Sequence, residues 1–279
     1  MIELPEAITL GKQFQKTLVG KMVTDVYNAT SLHKFAFFNG DPQGYKELLV
    51  GKVVQSAEGY GIFVDIRFND GITLSLFDGI NAKYGDASSK VPDKYQLLLT
   101  FNDNTYLAFT VAMYGGMYAY KGEFENKYYH LSVESLSPLS EKFDEAYFDS
   151  KLAQEKKNIS AKAFLATEQR IPGIGNGVAQ DILFNAGIHP KRKIFTFTDA
   201  DRSALFHSLK KTLQAMTSLG GRETETDLFG NKGGYQTILS KNTYKLPCPK
   251  CGGSISKEAY LGGSIYYCGH CQKLPKAND

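Results

Sequence analysis

No cysteine occurs before residue 248, no apolar run is long enough to cross a bilayer, and no repeat or low-complexity tract interrupts the 279 residues. Each absence closes off a class. Without roughly 20 consecutive apolar residues there is no transmembrane helix. Without a charged, then apolar, then small-residue start there is no secretory signal, so a cytoplasmic location is expected, at the nucleoid if the source is bacterial. A chain with all four cysteines in its last thirty-two residues has no disulfide framework to staple it. What remains is a soluble globular composition with room for two ordinary domains.

The net charge of +3 hides an uneven distribution. Residues 1–150 carry 13 Lys/Arg against 19 Asp/Glu, and residues 151–279 carry 19 against 10, so the halves bear −6 and +9. A basic C-terminal half predicts a polyanionic partner; a merely solvated basic surface is the plainer alternative.

Leu4, Ala7, Ile8, Phe14 and Leu18 recur at helical spacing from Pro5 onward, and Gly20 closes that helix. Short β-branched and aromatic runs follow at Val53-Val54, Gly61–Arg67, Ile72–Leu76, Gln96–Thr100, Thr105–Val111 and Met117–Tyr120. Asn69-Asp70-Gly71, Asn102-Asp103-Asn104 and Gly115-Gly116 read as the turns between them. The pattern predicts six to eight strands in a sandwich or flattened barrel led by one helix. Leu136–Phe143 reads as a linker, with helices expected at 144–153, 160–167, 177–186 and 199–220. Gly221–Tyr235 is polar, glycine-rich and long enough to be a functional loop. The fold class is α+β, in three segments: 1–135, 136–240 and 241–279.

Arg170–Pro190 (RIPGIGNGVAQDILFNAGIHP) is the most informative stretch. Pro172 and Gly173 break the preceding helix, Gly175 permits a tight turn, and Asn176 can cap a helix carrying Val178, Ala179, Ile182, Leu183 and Ala186. Such a turn aims backbone N–H groups at a site suited to one phosphate, although a capped helix after a loop explains the same residues. Cys248-x2-Cys251 and Cys268-x2-Cys271, sixteen residues apart, have the spacing of a closed tetrahedral thiolate site on a β-hairpin. One structural Zn²⁺ is expected there, with His270 exposed beside it.

Together, the Glu3-Leu4-Pro5-Glu6 start, the β-rich region, the Lys162-x-x-Leu165…Gly173-Ile174-Gly175-Asn176…Ala186–Pro190 block and the cysteine hairpin resemble the formamidopyrimidine-DNA glycosylase and endonuclease VIII family over essentially the whole chain. The resemblance implies a β-sandwich domain, a helix–two-turns–helix DNA-binding domain and a zinc finger. It implies a monomer that engages damaged or abasic double-stranded DNA without any membrane. In that family an N-terminal proline amine attacks C1′ of the damaged nucleotide. Here Ile2 holds the proline position: with Met1 retained before a bulky residue the amine falls on Met1, and with Met1 removed a primary amine on Ile2 could form the imine. Glu3 and Glu6 match the family's two acids. Tyr60 replaces a strand lysine and Gly263 a zinc-finger arginine. Ala112, Met113 and Tyr114 fall where the family has two arginines and an aromatic, so Tyr114 is the retained DNA contact. Lys162, Gly173, Gly175 and Asn176 match the family's phosphate-binding block.

Two functions follow as expectations. One is a DNA glycosylase of base-excision repair with weak or absent AP-lyase activity, using water activated by Glu3 or the terminal amine. The other is a catalytically inactive lesion- or structure-specific DNA-binding protein, favoured by the joint loss of catalytic cations.

Overall fold

The computed structural model describes residues 1–275; the last four positions of the expected C-terminal segment lie outside the described residues. The first helix, α1 (Leu4–Leu18), belongs to two cores at once. Ala7, Leu10, Phe14 and Leu18 point into an apolar cluster against the sheet, while Leu4 and Ile8 join the cluster formed by the later helices. One amphipathic helix with apolar residues on two sides thereby joins the halves of the molecule.

The strands are β1 (Val23–Asn28), β2 (Ala36–Phe38), β3 (Val54–Tyr60), β4 (Phe63–Phe68), β5 (Ile72–Gly85), β6 (Leu97–Phe101) and β7 (Tyr106–Lys121), with a short helix α2 (Tyr45–Leu49) before β3. They form one sheet in the order β1-β6-β7-β5-β4-β3, with β2 added parallel to β7. A bridge between Met22 and Val53 links the two ends of that order, so the sheet wraps around its apolar core as the expected sandwich. The expected break at Gly115-Gly116 does not occur: β7 runs straight through it. The ladder is irregular just before it: the β5–β7 register shifts where Val111–Gly115 of β7 lies opposite Asp78–Ile80 of β5, and Asp78 takes a left-handed conformation there (φ 55°).

The helices that follow are α3 (Lys127–Glu134), α4 (Glu145–Ala153), α5 (Ala161–Ala166), α6 (Asn176–Ala186) and α7 (Asp199–Ser218). Sequence periodicity locates the last four within a few residues and misses α3. Side chains of Asn126, Asp144, Ser160 and Thr198 cap α3, α4, α5 and α7. Phe143, from the expected linker, is buried with Phe148, Phe164, Ile182 and Leu209 in the helical core. The hairpin β8 (Ser256–Tyr260) and β9 (Gly263–Tyr267) closes the described chain.

The loop 221–235 is not a free loop. Leu228 is fully buried in the sheet core, its carbonyl accepts from Tyr84 N (3.0 Å), and Asp227 accepts from Gln13 Nε2 of α1 (2.9 Å).

Candidate active site

The N-terminus of α6 holds an anion, and that anion belongs to the protein. Glu3 Oε2 accepts from Gly175 N and Val178 N, both at 2.9 Å, and Oε1 accepts from Gly177 N at 2.9 Å. A carboxylate there satisfies otherwise orphaned donors and complements the positive end of the helix dipole. This corrects two expectations. The turn amides are taken by Glu3 rather than offered to a phosphate, and the residue at the cap position of α6 is Gly175, with Asn176 the first helical residue. The glycines are required by this approach: a Cβ on Gly175 would stand 2.7 Å from Glu3 Cδ, and one on Gly177 would stand 1.6 Å from Arg222 Nη1.

Arg222 completes the arrangement. Its Nη1 donates to Glu3 Oε1 (3.1 Å), while Nε and Nη2 bind the two oxygens of Glu6 at 3.0 and 2.8 Å. Its backbone N also donates to Glu6 (3.0 Å), and Nη2 reaches the Met1 carbonyl (3.4 Å). All three side chains are buried, with Arg222 only 2% exposed. Burial opposes the guanidinium charge, but the Glu3 and Glu6 carboxylates outweigh it and hold its proton more tightly than usual. Sequence reading missed Arg222, because an arginine after Gly220-Gly221 in a polar loop looks like a surface residue.

The first peptide is fixed in place. Ile2 is buried (3% exposed) and its N donates to the Asp78 carbonyl (2.6 Å), so the residue at the family's proline position faces the core. The amine of Met1 instead reaches a cleft of about 260 Å³, where it is paired with Glu225. Glu3, Asn176, Arg222 and Lys241 also line this cleft. Among the described residues Lys241 is exposed and makes no ion pair, whereas Arg170, Arg192, Arg202 and Arg222, the four arginines after residue 150, are each paired with a carboxylate.

Lys162 and Asn176, expected as phosphate contacts, are turned toward the hairpin. Lys162 is 3% exposed and donates to Tyr260 O (2.6 Å); desolvation lowers its affinity for a proton. Asn176 Nδ2 donates to Ser264 O (3.2 Å), and Gln180 joins it there through Ser264 O (2.9 Å) and Tyr266 N (3.1 Å). The carbonyl of Gly173 (φ 87°) accepts from Leu4 N (2.8 Å) and so fixes the start of α1. Tyr114 is 40% exposed near Asp78, and burial together with that neighbouring carboxyl pushes its hydroxyl up to about 12.

Asp78 is another group that sequence reading missed. Its Oδ1 is buried without a hydrogen-bond partner, and burial pushes the carboxyl from 3.8 up to about 6. Because the folded value lies above the unfolded one, the native state holds this proton longer. The stabilising contribution is complete below about pH 4 and is lost as pH rises toward about 6. Asp78→Asn keeps a side chain that tolerates positive φ and removes the charge. It is expected to raise unfolding stability by roughly 2–3 kcal/mol at pH 8 and by almost nothing at pH 4. Denaturant titrations at the two pH values check this, and an equal effect at both would show that charge burial is not the cause.

The four cysteine sulfurs lie within 4.8 Å of one another, with Cys248–Cys271 at 3.8 Å and Cys251–Cys268 at 3.5 Å. Those separations exclude disulfides and match the roughly 3.8 Å edge of a sulfur tetrahedron drawn around one metal ion at about 2.3 Å. His270 is exposed and outside the cluster.

Comparison with known proteins agrees with this architecture. The model for the formamidopyrimidine-DNA glycosylase H2TH domain matches residues 135–227. The formamidopyrimidine-DNA glycosylase of Bacillus subtilis (strain 168) is 28% identical over 280 residues, covering 98% of this chain and 99% of that protein. The one from Lactococcus lactis subsp. lactis (strain IL1403) is 27% identical over 279 residues, covering 98% and 100%. Among solved structures, MutM (Fpg) from Thermus thermophilus aligns with a TM-score of 0.79 at 21% identity, covering 98% and 99%. Lactococcus lactis Fpg in complex with DNA containing an abasic site aligns at 0.82 and 21%, covering 97% and 99%. With the helix–two-turns–helix block, the wrapped sheet and the cysteine hairpin in the order those relatives share, the chain matches the formamidopyrimidine-DNA glycosylase H2TH domain over residues 135–227 and is similar to formamidopyrimidine-DNA glycosylases along its whole length.

Proposed function

We propose that this protein is a DNA glycosylase of base-excision repair whose reacting group is the amine of Met1, in preference to water activated by Glu3. The observation that carries this reading is the saturation of Glu3: four donors fill its two oxygens, while the Met1 amine lines an open cleft. A carboxylate so occupied has no lone pair directed at a water. Its work is to tie α1 to α6 and, through Arg222, to hold the first residue in place.

The substrate is duplex DNA with a damaged or abasic nucleotide turned out of the stack into the cleft. The amine displaces the base at C1′, the C1′–O4′ bond then opens with O4′ taking a proton, and an imine links the chain to the sugar. The alternative of an inactive DNA-binding protein has no observation of its own, since an amine and an adjacent acid remain in the cleft. The three segments 1–135, 136–240 and 241–279 divide the work into amine-bearing sheet, DNA-binding helices and hairpin. We place the protein in the cytoplasm, where the chromosome is, and assign Zn²⁺ to the four cysteines, where it supplies structure only. Lys162 and Asn176 then act by seating the hairpin against the DNA-binding helices.

Borohydride trapping on a duplex with one abasic site, followed by mass spectrometry of the peptides, tests the reading. The expected result is a covalent adduct on the peptide bearing an intact Met1. No adduct, or an adduct on an internal lysine, would remove the amine from the mechanism.

Lys241 is the cation without an ion pair at the cleft. Lys241→Ala is expected to weaken binding to abasic duplex at low salt and to reduce the slope of log affinity against log salt by about one. An unchanged slope would place the phosphates elsewhere.

A further inference from the structure

An ammonium has no lone pair, so the Met1 amine must lose a proton before it can attack carbon, and the acceptor must touch the nitrogen. Glu3 is closed, with both oxygens filled. Asp78 does not line the cleft, and its backbone carbonyl, with the Arg222 Nη2 contact to the Met1 carbonyl, fixes the first peptide. Glu6 is held by Arg222. The remaining acid on the cleft wall is Glu225, whose Oε2 is bonded to the amine itself and whose side chain is 22% exposed. Its backbone is fixed on both sides: Glu225 N donates to Arg222 O (3.0 Å) and Gly233 N donates to Glu225 O (3.3 Å). Thr224 Oγ1 lies 3.4 Å from its other oxygen.

We propose that Glu225 is the proton carrier of the reaction, a catalytic residue that takes a proton from the Met1 amine and returns it to the oxygen leaving C1′. This rests on the amine reading above. On an abasic aldehyde the steps balance. Glu225 accepts one proton from the ammonium, and the freed nitrogen pair forms the N–C1′ bond as the carbonyl π pair moves to oxygen. A second proton passes from nitrogen to that oxygen. Glu225 then donates its proton as the C1′–O bond breaks, giving water and a protonated imine, with the carboxylate restored. The ammonium begins with three protons; water takes two and the imine keeps one.

The test uses the full-length protein, a duplex with one abasic aldehyde, and the rate of borohydride-trapped adduct under single-turnover conditions. Glu225→Gln keeps the shape and a hydrogen bond to the amine but cannot carry the proton. It is expected to form the adduct about a hundredfold more slowly than the parent, within the usual range for such catalysis. Its affinity for the same duplex without borohydride should be equal or higher, because a negative charge has gone. Glu225→Asp keeps the carboxylate one methylene shorter and should recover most of the rate. Matched melting temperatures separate a chemical defect from a folding one. If Glu225→Gln traps as fast as the parent, or if Asp rescues nothing relative to Gln, Glu225 is only a tether and the proposal is overturned while the amine reading stands. If the parent forms no adduct, both fall together.

Discussion

Arg222→Met is expected to cost the fold about 3–5 kcal/mol, the usual penalty for stranding buried charge. The guanidinium is 2% exposed and supplies the positive charge for Glu3 and Glu6, which are 1% and 6% exposed. Methionine fills similar volume, so a cavity contributes little and the loss is electrostatic. The two acids do not suffer equally. Glu3 keeps its three backbone donors at α6, whereas Glu6 keeps the amides of Arg222 (3.0 Å) and Glu3 (3.3 Å). Adding Glu6→Gln to Arg222→Met should therefore restore about half the loss, because the stranded charge disappears with it. The melting temperature of the single variant should fall by on the order of 10 °C. If it melted with the parent, the buried triad would not be holding the two halves together. Arg222→Lys should fall between, since one ammonium nitrogen cannot span the positions that Nε, Nη1 and Nη2 reach separately.

Removing the metal is expected to have the second large effect, and a confined one. A small apolar cluster holds the hairpin in place: Cys248, Tyr266 and Cys268 are buried with Phe184 and Leu239, with Ile238, Tyr244 and Ile255 packed partly buried against them, and further attachments are polar. These include Lys162 to Tyr260 O, Asn176 to Ser264 O and Gln272 Nε2 to Ile188 O (2.9 Å). A two-stranded hairpin of this size does not stand alone in water, so its order depends on the thiolate–metal bonds. Chelation, or Cys268→Ser, should release one bound metal ion per chain and open the segment after residue 240 to protease. Affinity for abasic duplex should drop at least tenfold. The sheet core contains no hairpin residue, and its unfolding transition should be unchanged. Retained affinity after complete metal loss would show that the hairpin does not touch DNA.

Much of the fold was legible in the sequence because its signals are local. The apolar spacing of α1, the caps of α4, α5 and α7, and the two Cys-x2-Cys pairs each lie within a few residues of what they specify. The errors came from position-specific contacts. Gly115-Gly116 looked like a turn, yet a Cβ on Gly116 would stand 2.3 Å from the Tyr118 ring, so the glycine makes room within a continuous strand. The glycine turn before α6 was read as a phosphate site, and no periodicity could say that its amides are taken by a carboxylate 172 residues earlier in the chain. Arg222 and Glu225 were hidden for the same reason. Their partners Glu3, Glu6 and Met1 become neighbours only after both cores have formed around α1.

Leu228 acts as a rivet. It passes from the loop after α7 into the apolar interior of the sheet, on the far side of the junction between the halves. Any hinge-like closing of one half on the other would have to draw it out, at about 1.5–3 kcal/mol for the leucine alone, besides breaking the Gln13–Asp227 contact. On the proposed function, a duplex at the cleft would meet a stiff jaw, and the shape change needed to expose a nucleotide would fall on the duplex. Lesions that soften the helix, with weakened pairing or a missing base, would be selected by how cheaply they bend, before any atom of the base is read.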